Sequence, residues 1–89
     1  MDIYEIIDTL TEYHRNSLSV NLFSLTNTLK EIKKDNLGFF YVIEKNAIKI
    51  TLSASLYISY IYVFYYTFAK KSSKNIIITN VEIIKESLF

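Results

Sequence analysis

The side chains that could do chemistry in this chain are few. Its single histidine, His14, has no cysteine in the chain to share a metal with, and a zinc site of the usual kind needs three or four nitrogen, sulfur or oxygen ligands. Its single glycine, Gly38, excludes the glycine-rich loops that hold phosphates or dinucleotides. No serine or threonine lies in a nucleophile-elbow context. We therefore predict a non-enzymatic protein with no catalytic residue, metal site or cofactor.

Two groups of charged residues could bind a partner. Glu5, Asp8 and Glu12 have the spacing of one helix face and could meet a basic partner or imitate nucleic-acid phosphates, although charged helix faces also serve solubility. A basic cluster further along the chain could contact phosphates. It consists of Lys30, Lys33 and Lys34.

The segment around these lysines resembles the winged-helix class of DNA-binding proteins. A helix ending in "TNTLKEIKKDN" is followed by "LGFF" and a two-stranded hairpin, the order in which a recognition helix precedes its wing. The resemblance covers residues 19–52 and implies DNA binding through the lysines. It departs from the pattern because "SVNLFSLTNTL" is too short for two helices and a turn, and because the domain is not strongly basic.

Helical periodicity stops near Gly38. Ile3, Ile6, Ile7 and Leu10 predict an amphipathic helix over 2–14, with Asp2 as its N-cap. Leucines at three- and four-residue spacing predict a second helix over about 19–35, so the two could form a helical hairpin. Asn36 and Gly38 offer left-handed conformations that would end it.

After Gly38 the period changes to two, which is typical of strands. "FFYVIEK" and "AIKITLS" predict two strands joined by a tight turn at Lys45 and Asn46. "NIIIT" at 75–79 predicts another, and Asn80 could cap a short C-terminal helix, "VEIIKESLF". Together with a strand within residues 50–69, the pattern predicts an α+β domain whose antiparallel meander has about four strands.

The stretch 50–69 holds twenty uncharged residues before Lys70 and Lys71. Its length and basic flank also fit a single membrane span, and a buried helix would be equally apolar. Its tyrosines are spread along its length rather than gathered at membrane interfaces, and its residue types are those favoured in strands. We expect a central strand over about 56–68.

Alternation along this strand predicts two different faces. One carries Tyr60, Tyr62, Phe64 and Tyr66, and the other carries Tyr57, Ile61, Val63 and Tyr65. Two helices can cover only one face, so part of the aromatic surface should be hidden by another chain. The predicted partner-binding residues combine these tyrosines with the acidic helix face: Tyr57, Tyr60, Tyr62, Tyr65, Tyr66, Glu5, Asp8 and Glu12.

The composition fits a single domain over residues 1–89 that acts by binding. The net charge is +1, and eight Tyr and six Phe give a high aromatic content. We expect an intracellular protein-interaction module that binds another protein or forms a homodimer. The Ile, Lys, Asn and Tyr bias suggests an AT-rich genome and hence a viral or plasmid accessory protein, such as an inhibitor. A winged-helix DNA-binding regulator and a single-span membrane protein remain the alternatives.

Overall fold

Two helices and five strands make up the chain in a computed structural model, which describes residues 2–53 and 60–87 and only the backbone of Tyr60 and Ser87. In chain order the elements are α1 (Ile3–Arg15), β1 (Ser19–Asn21), α2 (Leu22–Asp35), β2 (Phe39–Ile43), β3 (Ala47–Ser53), β4 (Tyr60–Lys70) and β5 (Asn75–Ser87). The predicted α+β class is confirmed.

The first helix follows its sequence pattern. The Asp2 carboxylate accepts a hydrogen bond from the Glu5 backbone N–H at 2.8 Å, which satisfies one of the free donors at the helix start. Ile6 and Leu10 are buried, and Ile3 is half-buried. The helix contacts β5, so its apolar stripe is what fixes it to the sheet.

The second helix begins later than predicted, and the predicted helical hairpin is wrong in detail. Residues 19–21 form the short strand β1, which pairs with Asn75–Ile77 of β5. Asn21 then caps α2 by accepting from the Ser24 N–H at 3.0 Å. Strand pairing therefore takes the residues that the periodicity assigned to the first helical turn, because Val20 can bury its side chain in the sheet core.

The sheet is an antiparallel meander, β2–β3–β4–β5, to which β1 adds a fifth strand; the order is β1-β5-β4-β3-β2. The prediction of a central strand is confirmed for its described part, since β4 lies between β3 and β5, and residues 56–59 lie outside the described residues. A buried helix or a membrane helix over 50–69 is wrong for residues 50–53 and 60–69, which are strand. Neither helix in the described part of the chain combines the length and the apolarity needed to cross a membrane.

The predicted C-terminal helix is wrong because β5 continues to Ser87. Asn80 does not cap a helix but lies at a bulge: Thr67 pairs with Asn80 while Phe68 pairs with Ile78, so Thr79 is an extra residue. The residues beyond the bulge pair with Tyr60–Thr67 of β4. That pairing satisfies backbone groups of β4 that a terminal helix would have left free.

The core lies between the two helices and one face of the sheet. Its strand residues alternate, as the even-numbered positions of β4 show, and they include Ile48, Ile50, Tyr66 and Phe68. The bulge changes the alternation of β5: Ile76 and Ile78 are in the core before it, and Val81 packs against the core after it. The bulge thus keeps the Val81 side chain on the same face of the sheet as Ile76 and Ile78.

Gly38 is required by a close approach of two strands, not by a left-handed turn. It has no positive φ, and neither does Asn36, so the predicted left-handed stop of α2 is wrong. The Asn36 side-chain amide instead donates to the Ile32 carbonyl at 2.7 Å. A Cβ on Gly38 would lie 2.3 Å from the Ser53 carbonyl oxygen.

Candidate functional site

The face of the sheet turned away from the helices carries a mixed apolar surface, which we call the open face. Two rows cross it from β2 to β5. The first row is Phe40, Thr51, Val63 and Ile84, and the second row is Val42, Lys49, Tyr65 and Glu82. Lys33, in the last turn of α2, reaches this face at its β2 edge, where its ammonium lies 4.5 Å from the centre of the Phe40 ring. Phe40 is 48% and Val42 55% exposed, whereas Val63 is 7% exposed.

Tyr65 is the aromatic residue at the centre of the second row. It pairs with Lys49 on one side and Glu82 on the other. Its hydroxyl donates to Glu44 Oε2 at 3.0 Å. This hydrogen bond, with burial and the Glu44 and Glu82 charges, raises the pKa of the Tyr65 phenol above 10.0. Tyrosine combines a large, rigid ring with a hydroxyl that tolerates water, which suits a contact residue.

The structure separates the tyrosines that the sequence grouped as partner-binding. Tyr65 lies on the open face, whereas half-buried Tyr62 lines a cleft on the helical side. Tyr66 is wrong as a contact residue because it is 0% exposed beneath the helices. Tyr57 and the Tyr60 side chain lie outside the described residues. Of the three predicted tyrosines whose side chains the structure describes, Tyr65 falls on the open face and Tyr62 and Tyr66 do not.

The Tyr66 phenol is buried beneath α1 without a hydrogen-bond partner among the described residues. The neighbouring Thr11 hydroxyl donates elsewhere, to the Ile7 carbonyl at 2.8 Å. Burial raises the pKa of the Tyr66 phenol, the Asp8 carboxylate raises it further, and the Thr11 side chain acts in the opposite direction. An unpaired buried hydroxyl destabilises the fold, so this group is either a defect or a source of specificity in the core.

A cleft of about 680 Å³ opens between the start of α1, the end of α2 and the sheet. Apolar side chains such as Ile7, Leu37 and Phe64 line most of it, and Asp8 and Asp35 stand among them. The cleft is therefore a mainly apolar surface that carries two carboxylates.

The predicted acidic face of α1 is exposed as expected at Glu5, Asp8 and Glu12. Glu12 is already engaged within the helix end, where it accepts from the Arg15 guanidinium and the Asn16 amide. Over residues 2–53 and 60–87, no three His, Asp or Glu side chains come close enough together to hold a metal ion. A role for these acids in partner binding stays a prediction.

The basic cluster lies exposed on the last turns of α2 and is partly used within the chain. Lys34 Nζ lies 3.1 Å from Glu31 Oε1, and Lys33 Nζ lies 4.5 Å from the centre of the Phe40 ring. Lys30 is exposed. The helix and the following β2–β3 hairpin occur in the order that the winged-helix resemblance implies, and DNA binding stays a prediction.

Three residues of the open face escaped the sequence reasoning. Phe40 and Val42 alternate with buried Phe39 in β2, so the period-two pattern could have placed them on one face. Ile84 could not have been found in this way, because the bulge at Thr79 changes the alternation of β5.

Comparison of the chain with protein-family models, with curated proteins and with solved structures found no match.

Proposed function

We propose that this protein is a non-catalytic interaction module that binds another protein, including copies of itself, through the open face. The observation that supports this is the first row of the open face, in which Phe40 and Ile84 are exposed apolar residues at the two ends. Exposed apolar surface of this kind on a small domain is typical of an interaction site.

The make-up of the open face favours a protein over a nucleic acid. Its two central charged residues, Lys49 and Glu82, have opposite signs and flank Tyr65. Such a surface lacks the positive potential that phosphate backbones require. A surface that combines apolar and aromatic side chains with charges of both signs is instead compatible with a protein interface, in which aromatic anchors supply much of the binding energy.

A second copy is the simplest protein partner. A two-fold symmetric contact uses the same patch twice and needs no other complementary surface. If the partner is a different protein, covering a surface that this protein needs would make the chain an inhibitor, which agrees with the accessory role suggested by composition.

The experiment compares two equally aromatic, exposed positions. Phe40→Asp alters the open face, and Phe23→Asp alters an exposed phenylalanine on α2. If the second copy binds through the open face, light scattering should show a self-associated wild type, weakened by Phe40→Asp and unchanged by Phe23→Asp. Affinity capture followed by mass spectrometry should lose the same partners only in Phe40→Asp. A wild type that stays monomeric at millimolar concentration, and that retains the same captured proteins after Phe40→Asp, would refute the proposal.

A further inference from the structure

The outer edge of β5 is open along most of its length. β5 runs from Asn75 to Ser87, but β1 pairs only with Asn75–Ile77. Over the residues that the structure describes, no strand pairs with the outer side of Ile78–Ser87. Every second residue there presents its backbone N–H and C=O groups away from β4.

This edge has a specific binding chemistry because its free groups are backbone donors and acceptors in a straight row. Another extended chain is the ligand that satisfies such a row, by adding a strand to the sheet. The side chains on both sides of the edge are accessible, since Ile83 is 61% and Ile84 39% exposed. An added strand would therefore meet apolar side chains on either face.

The opposite edge of the sheet is shorter than the free edge of β5. β2 has five residues, and the Lys33 ammonium lies 4.5 Å from the Phe40 ring at that edge. Short edge strands and lysines are devices that prevent edge pairing. β5 also has a bulge and charged residues, so the greater length of its free edge is what distinguishes it.

We propose that two copies of this chain pair antiparallel through β5, with Ile83 on the two-fold axis. The inference goes beyond the proposed function, because it uses the backbone edge and not the side chains of the open face. The bulge at Thr79 and Asn80 interrupts the edge on one side. The regular part of the free edge therefore begins directly after the bulge, and an axis at Ile83 pairs residues 81–85 of the two copies.

Charge decides among the possible registers. Directly opposite residues of antiparallel strands share a face, so the axis must pass through a residue and not between two. An axis at Glu82 places Glu82 of one copy opposite Glu82 of the other, and an axis at Lys85 does the same with Lys85. An axis at Ile84 places Glu82 opposite the second copy's Glu86, twice in the dimer. Like charges directly opposite destabilise strand pairs.

The axis at Ile83 avoids these repulsions. It places Ile83 opposite itself, Glu82 opposite Ile84, and Val81 opposite Lys85. The two isoleucines bury one another on the helical side, and no like charges face each other. This arrangement joins the two sheets into one of ten strands and makes the two open faces continuous.

Single cysteines test the register, because the natural chain has none. Facing residues lie about 4.5–5.5 Å apart between Cα atoms, within the range of a disulfide. Under oxidation by copper phenanthroline, Ile83→Cys should form a covalent dimer, whereas Val42→Cys, an equally exposed residue of the edge strand β2, should not. A mixture of Glu82→Cys and Ile84→Cys chains should cross-link faster than either chain alone. Equal rates for Ile83→Cys and Val42→Cys would overturn the proposal.

A pair of lysine substitutions separates edge pairing from contact through the open face. Ile83→Lys puts a charge opposite itself and should raise the dimer dissociation constant at least about tenfold, while Ile84→Lys faces Glu82 and should change it by less than about threefold. The reverse order would overturn edge pairing and support a dimer through the open face, where Ile84 lies. A protein that remains monomeric under light scattering would overturn the edge dimer, while capture of a different protein lost in Phe40→Asp would still support the proposed function.

Discussion

Replacing Tyr66 by phenylalanine should stabilise this protein, although it removes a polar group from a fully buried residue. The hydroxyl is 0% exposed and has no hydrogen-bond partner among the described residues. In the unfolded chain the same hydroxyl binds water, so folding loses that interaction and gains nothing in return. Leaving a buried hydroxyl unpaired costs about 1–3 kcal/mol.

The opposing effect of the substitution is small. Removing one oxygen leaves a void of roughly 10 Å³, which costs about 0.3 kcal/mol at the usual cavity penalty. The net gain in the free energy of unfolding should therefore be about 1–2 kcal/mol, or a rise in Tm of about 5–10 °C for a domain of this size. Urea denaturation followed by circular dichroism measures it directly.

Tyr65→Phe is the matched control, since its hydroxyl donates to Glu44 Oε2 at an exposed position. Losing an exposed hydrogen bond should change stability little and should not increase it. A destabilised Tyr66→Phe protein would refute the reasoning, because it would show that the phenol is hydrogen-bonded in solution, with Thr11 as the nearest candidate.

Alkaline pH gives a second readout of the same phenol. Burial raises the pKa of Tyr66 above 10.0 in the folded protein, while the unfolded chain keeps a value of about 10. The unfolded state therefore releases the Tyr66 proton first. The contribution of Tyr66 to the free energy of unfolding is constant below pH 10 and falls as the pH rises toward the folded pKa. Tyr66→Phe should lose less stability than the wild type between pH 10 and 11, and equal slopes would contradict the assignment.

Three further substitutions test the packing and the charges. Gly38→Ala should cost about 1–3 kcal/mol because its Cβ would lie 2.3 Å from the Ser53 carbonyl oxygen, whereas Leu37→Ala, at an exposed neighbour, should be nearly neutral in thermal melts. Ile6→Ala should cost about 2–4 kcal/mol as a buried core residue, and Asp8→Lys should hardly change the urea midpoint; comparable losses would contradict the assignment of the two faces. The last test neutralises the basic cluster of α2, Lys30, Lys33 and Lys34. If these lysines only solubilise the helix, any affinity for duplex DNA should stay unchanged at every salt concentration. A weaker dependence of the DNA affinity on salt in the triple variant would favour the winged-helix alternative.

The parts of the fold that depend on local pattern could be predicted from the sequence. Asp2 and the spacing of Ile6 and Leu10 predict α1. The structure confirms both the N-cap at Asp2 and the burial of Ile6 and Leu10. Alternation in β4 places Tyr66 and Phe68 on one face and Val63 on the other, as the structure has them. These features were predictable because each depends on residues within one or two turns or on strict period two.

The parts that depend on distant pairing could not be predicted. Val20 lies in a helical pattern but forms a strand, because β5 offers it a partner 56 residues away at Ile76. "VEIIKES" follows a good cap, Asn80, and has enough polar residues for a helix, but it pairs with the long neighbouring strand β4 instead. In both cases strand pairing overrides local propensity.

The bulge in β5 decides which residues of this strand lie on the open face. If strict alternation continued from Ile76 and Ile78 through Thr79, Glu82 would face the helices and Ile83 would lie on the open face. The bulge absorbs Thr79 and exchanges the two, so Glu82 lies beside Tyr65 and Val81 packs against the core. The same exchange moves Ile84 onto the open face, next to Val63. The place of Ile84 in the first row, and with it the contribution of β5 to the proposed binding surface, therefore depends on one bulge that the sequence pattern conceals.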